Sequence, residues 1–169
     1  LIIMYILGFI MRQNFHIKID KFAFKYYYIT MCNYIKKYFI TTYGCQMNLH
    51  ESEKLAGILV DMGYVLAENI AEADVIVFNT CCIRENAENR IWGVLGNLKE
   101  PKRHNKEMII GICGCMPQEE HVVDRLLEKY REIDLVFGTH NIYKLPEFLY
   151  EISTKKCKVV EVLSFEGAI

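Results

Sequence analysis

Three cysteines, Cys45, Cys81 and Cys115, each follow a short apolar run and come just before a segment with helical spacing. Parallel strands end at a common edge of their sheet, where ligands bind, so we expect these thiols to lie close together. Helix amino-termini beside them would stabilise thiolates and bound anionic clusters. Thiolates are the usual ligands of iron–sulfur clusters, and three of them leave one iron of a cubane open.

The spacing alone is also compatible with three different roles for these cysteines. Unpaired cysteine is among the most buried residue types, so the three thiols could simply be small apolar side chains at strand ends. Zinc completed by His50 or His140 is a competing interpretation. A thiol-redox module is disfavoured because the chain has no Cys-x-x-Cys pair, and Cys113 with Cys115 would be its only basis.

Strands and helices alternate along the chain around these cysteines, which is typical of an α/β fold. Apolar or β-prone runs predict strands at residues 38–42, 73–78, 108–112 and 135–137. Asn48 and Glu51 resemble a capping box that starts the first helix, and Gly63 ends that helix. We expect a doubly wound, mostly parallel sheet of four or five strands flanked by helices, similar to flavodoxin-like or Rossmann-like domains.

Composition limits the classes of function. Lys plus Arg total 20 against 21 for Asp plus Glu, so no global basic field attracts nucleic acid, and any RNA contact is local or made elsewhere. Seven cysteines and no tidy secretory signal disfavour a disulfide framework and favour a reducing cytoplasm. The apolar run at residues 1–11 is shorter than the roughly 20 residues of a membrane span, so we expect no membrane association.

The remaining polar and sulfur-containing residues are expected to have structural roles. We assign Cys82 and Cys113 to packing and expect neither Cys32 nor Cys157 to be a ligand. Asn79 is expected to brace the neighbouring loops through side-chain hydrogen bonds. A basic stretch between the second helix and the third strand is expected to be a solvated loop rather than an RNA patch. Its residues are Lys99, Lys102, Arg103 and Lys106.

Three segments resemble the motifs of the tRNA methylthiotransferases of the radical S-adenosylmethionine class. They are TYGCQMN at residues 42–48, NTCCIRENAE at residues 79–88 and GICGCMPQ at residues 111–118. The first two, together with FGTHNI at residues 137–142, resemble the branch that modifies N6-isopentenyladenosine in tRNA. The resemblance extends from about Lys37 to Phe165.

The resemblance implies that Cys45, Cys81 and Cys115 bind an auxiliary 4Fe-4S cluster. This cluster supplies or relays sulfur for methylthiolation at C2 of N6-isopentenyladenosine, next to the tRNA anticodon. In such enzymes a second domain holds another 4Fe-4S cluster and S-adenosylmethionine, and a third domain helps to bind tRNA. No Cys-x-x-x-Cys-x-x-Cys occurs before the chain ends at Ile169, so we expect an amino-terminal domain that is not catalytically complete alone.

The resemblance also predicts how the chain is organised. Residues 1–35 form an aromatic-rich tail outside the resemblance, residues 36–155 form the cluster-binding domain, and residues 156–169 start a linker toward an absent radical S-adenosylmethionine domain. The expected partners are that domain in cis and tRNA, and we expect the chain to be a cytoplasmic monomer. The alternative function is a structural zinc- or cluster-binding interaction module without chemistry.

Overall fold

The computed structural model describes residues 35–81 and 85–162, and in this part of the chain a single parallel sheet lies between helices. The strands are β1 (Lys37–Tyr43), β2 (Val65–Leu66), β3 (Val75–Thr80), β4 (Ile109–Gly114), β5 (Leu135–Gly138) and β6 (Val159–Glu161). The α-helices are α1 (Gln46–Asp61), α2 (Glu85–Asn97), α3 (Lys99–His104), α4 (Glu120–Lys129) and α5 (Leu145–Lys155). Three short 3₁₀ helices span Ile70–Glu72, Met116–Gln118 and Thr139–Lys144.

Helices cover both faces of the sheet. Val75 and Val77 of β3 pack with apolar side chains of α1 and α5 in one core. Ile76 and Phe78 point the opposite way and pack with side chains of α2 and α4 in the other. Successive side chains of a strand alternate between the two faces, so β3 must be apolar throughout its first part.

The strand order indicates where a ligand would bind. The order is β2-β1-β3-β4-β5-β6, so the chain moves to one side of β1 to form β2 and then returns to form β3 on the other side. This reversal creates a crevice beyond the carboxyl ends of β1 and β3, and such crevices are the usual ligand sites of doubly wound sheets. The predicted fold class is confirmed.

The structure differs from the prediction in detail. The four predicted strands are present, and the short edge strands β2 and β6 raise the total in the described residues to six. Helix α1 begins at Gln46 with Cys45 as its N-cap, so the predicted capping box that starts at Asn48 is wrong. Asn48 is instead the third residue of the helix, and its side chain accepts a hydrogen bond from the Cys45 N–H at 3.2 Å.

The basic stretch after α2 is also different from the expected loop, because most of it forms α3. The Lys102 ammonium group donates hydrogen bonds to the Asp134 carboxylate and the Met108 carbonyl. Arg103 forms an exposed ion pair with Glu100, one helical turn away. Lys102 therefore links α3 to the amino-terminal ends of β4 and β5 and is not a solvated side chain.

Several predictions concern residues outside the described part of the chain. The aromatic tail, Cys32 and Cys82 lie there, and so do residues 163–169 of the predicted linker. Among the helices that the structure describes, none has the length and apolar character needed to cross a membrane.

Candidate metal centre

Cys45, Cys81 and Cys115 lie at one edge of the sheet, beyond the carboxyl ends of the adjacent strands β1, β3 and β4. The Cys81 N–H donates a hydrogen bond to the Tyr43 carbonyl, and the Cys115 N–H donates one to the Thr80 carbonyl, both at 2.9 Å. These bonds extend the parallel ladder past the ends of the strands. The structure thus brings the three cysteines to the shared edge that the sequence predicts.

Cys45 occupies the N-cap of α1, where the backbone N–H groups of the first turn point toward its sulfur. Hydrogen bonding from the backbone of Asn48, followed by that of Met47, lowers the pKa of the Cys45 thiol below its usual range. A smaller contribution from the Cys81 side chain has the same direction, which shows that the two thiols interact. Cys45 is therefore prepared to act as a thiolate.

Cys113 differs from its neighbour Cys115 because it points into the core. Its side chain is fully buried among apolar residues of α1 and α5. Burial is the main cause that raises the pKa of the Cys113 thiol well above its usual range, and the nearby Glu51 carboxylate adds to the effect. Cys115 is only partly buried. The assignment of Cys113 to packing agrees with this environment.

A buried polar network lies directly beneath the cysteine edge. Asn79 donates hydrogen bonds to the Asn48 carbonyl at 2.7 Å and to the Ser52 hydroxyl at 3.1 Å. The Ser52 hydroxyl is 2.7 Å from that of Thr42 on β1. Asn79 therefore braces neighbouring segments, as predicted. Ser52 was missed, although its position four residues after Asn48 places both on one helix face.

The two histidines considered as zinc ligands lie on the surface. The His50 ring is 64% exposed and 3.4 Å from the Glu53 carboxylate. His140 is exposed in the 3₁₀ helix after β5. Within residues 35–81 and 85–162, no group of three or more His, Cys, Asp or Glu side chains surrounds a common metal position.

The donor chemistry at the edge fits an iron–sulfur cluster better than zinc. Three thiols follow three adjacent strands, and one of them has a lowered pKa at a helix amino-terminus. Soft thiolate ligands at such positions suit an anionic iron–sulfur group. A closed structural zinc site would require a fourth protein ligand, and His50 is directed toward Glu53.

The sequence profile of the uncharacterized protein family UPF0004 matches residues 37–138, which is most of the described chain. The chain belongs to this family. Among its relatives are proteins named tRNA-2-methylthio-N(6)-dimethylallyladenosine synthase from Staphylococcus haemolyticus, Oceanobacillus iheyensis and Bacillus subtilis, at 55%, 56% and 52% identity. Each match covers 134 residues, 79% of this chain and 26% of the relative. The UPF0004 chain thus spans about a quarter of the length of these relatives, and the resemblance to tRNA methylthiotransferases is confirmed.

The thiols of the UPF0004 chain are expected to differ in reactivity. Cys45 should be alkylated by iodoacetamide at least about tenfold faster than Cys113 near neutral pH, because its pKa is lowered while that of Cys113 is raised by burial. Timed alkylation followed by peptide mass spectrometry measures both rates, with the half-buried Cys157 as a reference. Equal rates for Cys45 and Cys113 would contradict the described burial.

Glu51 is a titratable group that the sequence did not single out. It lies on α1 below the cysteine edge, and its Oε2 atom is buried without a hydrogen-bond partner among the described residues. Burial is the main cause that raises the pKa of the Glu51 carboxyl, although the Asn79 amide opposes the shift. The ionised form is therefore penalised in the folded chain.

Replacing Glu51 with glutamine is expected to stabilise the UPF0004 chain at neutral pH. Stability linked to the protonated carboxyl is fully present below its unfolded pKa, about 4.3, and is lost as pH rises through the raised folded pKa. Glutamine stays neutral, so the gain in thermal midpoint should appear near pH 7 and vanish near about pH 3.5. Glu53→Gln, on the exposed side of α1, is the matched control. A gain of equal size at both pH values would show that ionisation of Glu51 is not its cause.

Proposed function

We propose that this UPF0004 chain is the amino-terminal domain of a tRNA methylthiotransferase and holds an auxiliary 4Fe-4S cluster through Cys45, Cys81 and Cys115. The observation that carries the proposal is the position of these thiols at the ends of three adjacent parallel strands beside the topological switch point. When bound, a cluster with three cysteine ligands has one open iron, at which a sulfur or methylthio group is handled.

The chain's own residues prepare the three ligands. The first-turn N–H groups of α1 favour the thiolate of Cys45, so less free energy is needed to remove its proton when metal binds. The carbonyls of Tyr43 and Thr80 hold the backbones of Cys81 and Cys115. Cys113 keeps its proton in the core and does not compete.

The substrate and the remaining chemistry follow from the relatives. Their name supports tRNA carrying N6-dimethylallyladenosine as the substrate. We assign the second cluster, S-adenosylmethionine and most of the tRNA contact to domains that these 169 residues do not include, because no Cys-x-x-x-Cys-x-x-Cys occurs among them. Residues 36–155 are the proposed cluster-binding domain of a cytoplasmic, monomeric enzyme.

A domain exchange tests this function. Residues 36–162 replace the matching segment of the Bacillus subtilis relative in a strain that lacks its own enzyme, and 2-methylthio-N6-dimethylallyladenosine is measured in tRNA by mass spectrometry. We expect the modified nucleoside with the wild-type segment and with Cys157→Ala, and none with the triple Cys45/Cys81/Cys115→Ala segment. A triple variant as active as wild type would contradict the proposal, as would a folded wild-type exchange that binds zinc and modifies no tRNA.

A further inference from the structure

Asn48 and Asn79 form a fully buried amide pair between α1 and β3. The Asn48 Nδ2 group donates a hydrogen bond to Asn79 Oδ1 at 3.0 Å, and Asn79 Nδ2 donates one to the Asn48 carbonyl at 2.7 Å. Burying two amides is costly unless their hydrogen bonds are made. The mutual bonding therefore holds the first turn of α1 firmly against the end of β3.

The surrounding acceptors fix which way each amide points. Asn79 must direct its Nδ2 group toward the Asn48 carbonyl, so its Oδ1 atom faces Asn48. Asn48 must then direct Nδ2 toward Asn79 Oδ1 and the Thr80 carbonyl. Its Oδ1 atom is left facing Cys45, where it accepts from the backbone N–H at 3.2 Å and from the thiol at 3.3 Å. Neither amide can turn over without losing these bonds.

The glycines beside the cysteines show that the pair lies directly beneath their loops. A Cβ atom at Gly44, next to Cys45, would be 2.2 Å from Asn48 Oδ1. A Cβ atom at Gly114, next to Cys115, would be 2.7 Å from Asn79 Oδ1. Asn79 itself is two residues before Cys81 in the sequence. The two amides thus contact the backbone segments that carry all three cysteines.

We propose that Asn48 and Asn79 are positioning residues that fix Cys45 relative to Cys81, with Cys115 held on the same support, so that the thiols can bind one common group. Asn48 contributes both functions of its amide, as acceptor for Cys45 and as donor to β3. No other uncharged side chain of this length has both groups in one plane. The assignment to a cluster rests on the proposed function, whereas the fixed spacing of Cys45 and Cys81 does not.

The test uses the full chain in two forms. In the metal-free protein, phenylarsine oxide, a trivalent arsenical that bridges two neighbouring thiols, is titrated, and peptide mass spectrometry measures the fraction of Cys45 bridged to Cys81. In the protein reconstituted with iron and sulfide, the rate of iron loss to a chelator is measured. Asn48→Ala and Asn79→Ala are each expected to weaken arsenical bridging and accelerate iron loss by about 10- to 100-fold, the usual effect of removing a supporting contact to a ligand.

Asn141→Ala is the matched control. Asn141 is also buried and hydrogen-bonded, to the Glu161 carbonyl at 3.0 Å, but it lies after β5 and contacts none of the three cysteines through that bond. It should lower the thermal midpoint and leave arsenical bridging within about twofold of wild type, since a lost backbone contact elsewhere changes stability rather than thiol spacing. Ser52→Ala, which removes one outer hydrogen bond of the pair, should give an intermediate effect even if the asparagine variants do not fold.

The outcomes separate the two proposals. Asparagine variants with a reduced midpoint but wild-type arsenical bridging and iron retention would overturn the positioning role. A wild-type chain that forms no cluster but bridges Cys45 and Cys81 far better than its asparagine variants would support the positioning role and contradict the proposed function.

Discussion

Replacing Gly114 with alanine is expected to destabilise the domain by about 3 kcal/mol, enough to unfold much of the chain at moderate temperature. Gly114 has φ +108°, a conformation that residues with a side chain rarely adopt. A Cβ atom there would be 2.1 Å from the Thr80 carbonyl oxygen. That oxygen cannot easily move, because it accepts the hydrogen bond from the Cys115 N–H.

Urea unfolding monitored by circular dichroism measures the effect of Gly114→Ala. Gly96→Ala is the matched control, because Gly96 is exposed in α2 and no heavy atom lies within 4 Å of an added Cβ. The control should gain up to about 1 kcal/mol, since alanine is the better helix former. Equal unfolding midpoints for Gly114→Ala and wild type would show that the backbone at Gly114 is not constrained as described.

Each single alanine substitution at Cys45, Cys81 or Cys115 is expected to reduce iron uptake during anaerobic reconstitution by at least about tenfold. The cluster would have only three protein ligands, so two remaining thiolates cannot hold it firmly. Cys113 cannot act as a substitute, because burial raises its pKa and its side chain lies in the core between the sheet and α1.

Cys157→Ala is the control for these variants. Cys157 lies in a pocket with Lys102, Met108 and Asp134, at the amino-terminal edge of the sheet. It should retain wild-type iron content, measured together with sulfide after removal of unbound metal. Full iron content in Cys115→Ala, with loss in Cys113→Ala, would show that the ligands are assigned to the wrong cysteines.

The sequence predicts the parts of the fold that depend on long apolar runs. β3 is buried on both faces, so its continuous apolar pattern identifies it directly, and the cysteines after the strands then share one edge. Strands β2 and β6 have only two and three residues, which is too short for any periodicity to appear. Their positions depend on pairing with β1 and β5 rather than on their own sequence.

The polar interactions around the site were harder to predict. Cysteine is not a preferred N-cap, so the sequence pointed to Asn48 as the start of α1 when Cys45 has that role. Lys102 and Asp134 are 32 residues apart, and only the folded chain reveals that they pair. The same holds for Asn48 and Asn79. The limits of the predicted domains, and the tail before residue 35, stay predictions.

The proposed function depends above all on three cysteines that hold a cluster with one open iron. The most direct measurement is anaerobic reconstitution of the wild-type chain, with iron and sulfide quantitation and electron paramagnetic resonance before and after addition of a small thiol. We predict about four irons and four sulfides per chain and a spectrum that changes when the thiol binds the open iron. Bound zinc, or a cluster whose spectrum the thiol does not change, would contradict this prediction.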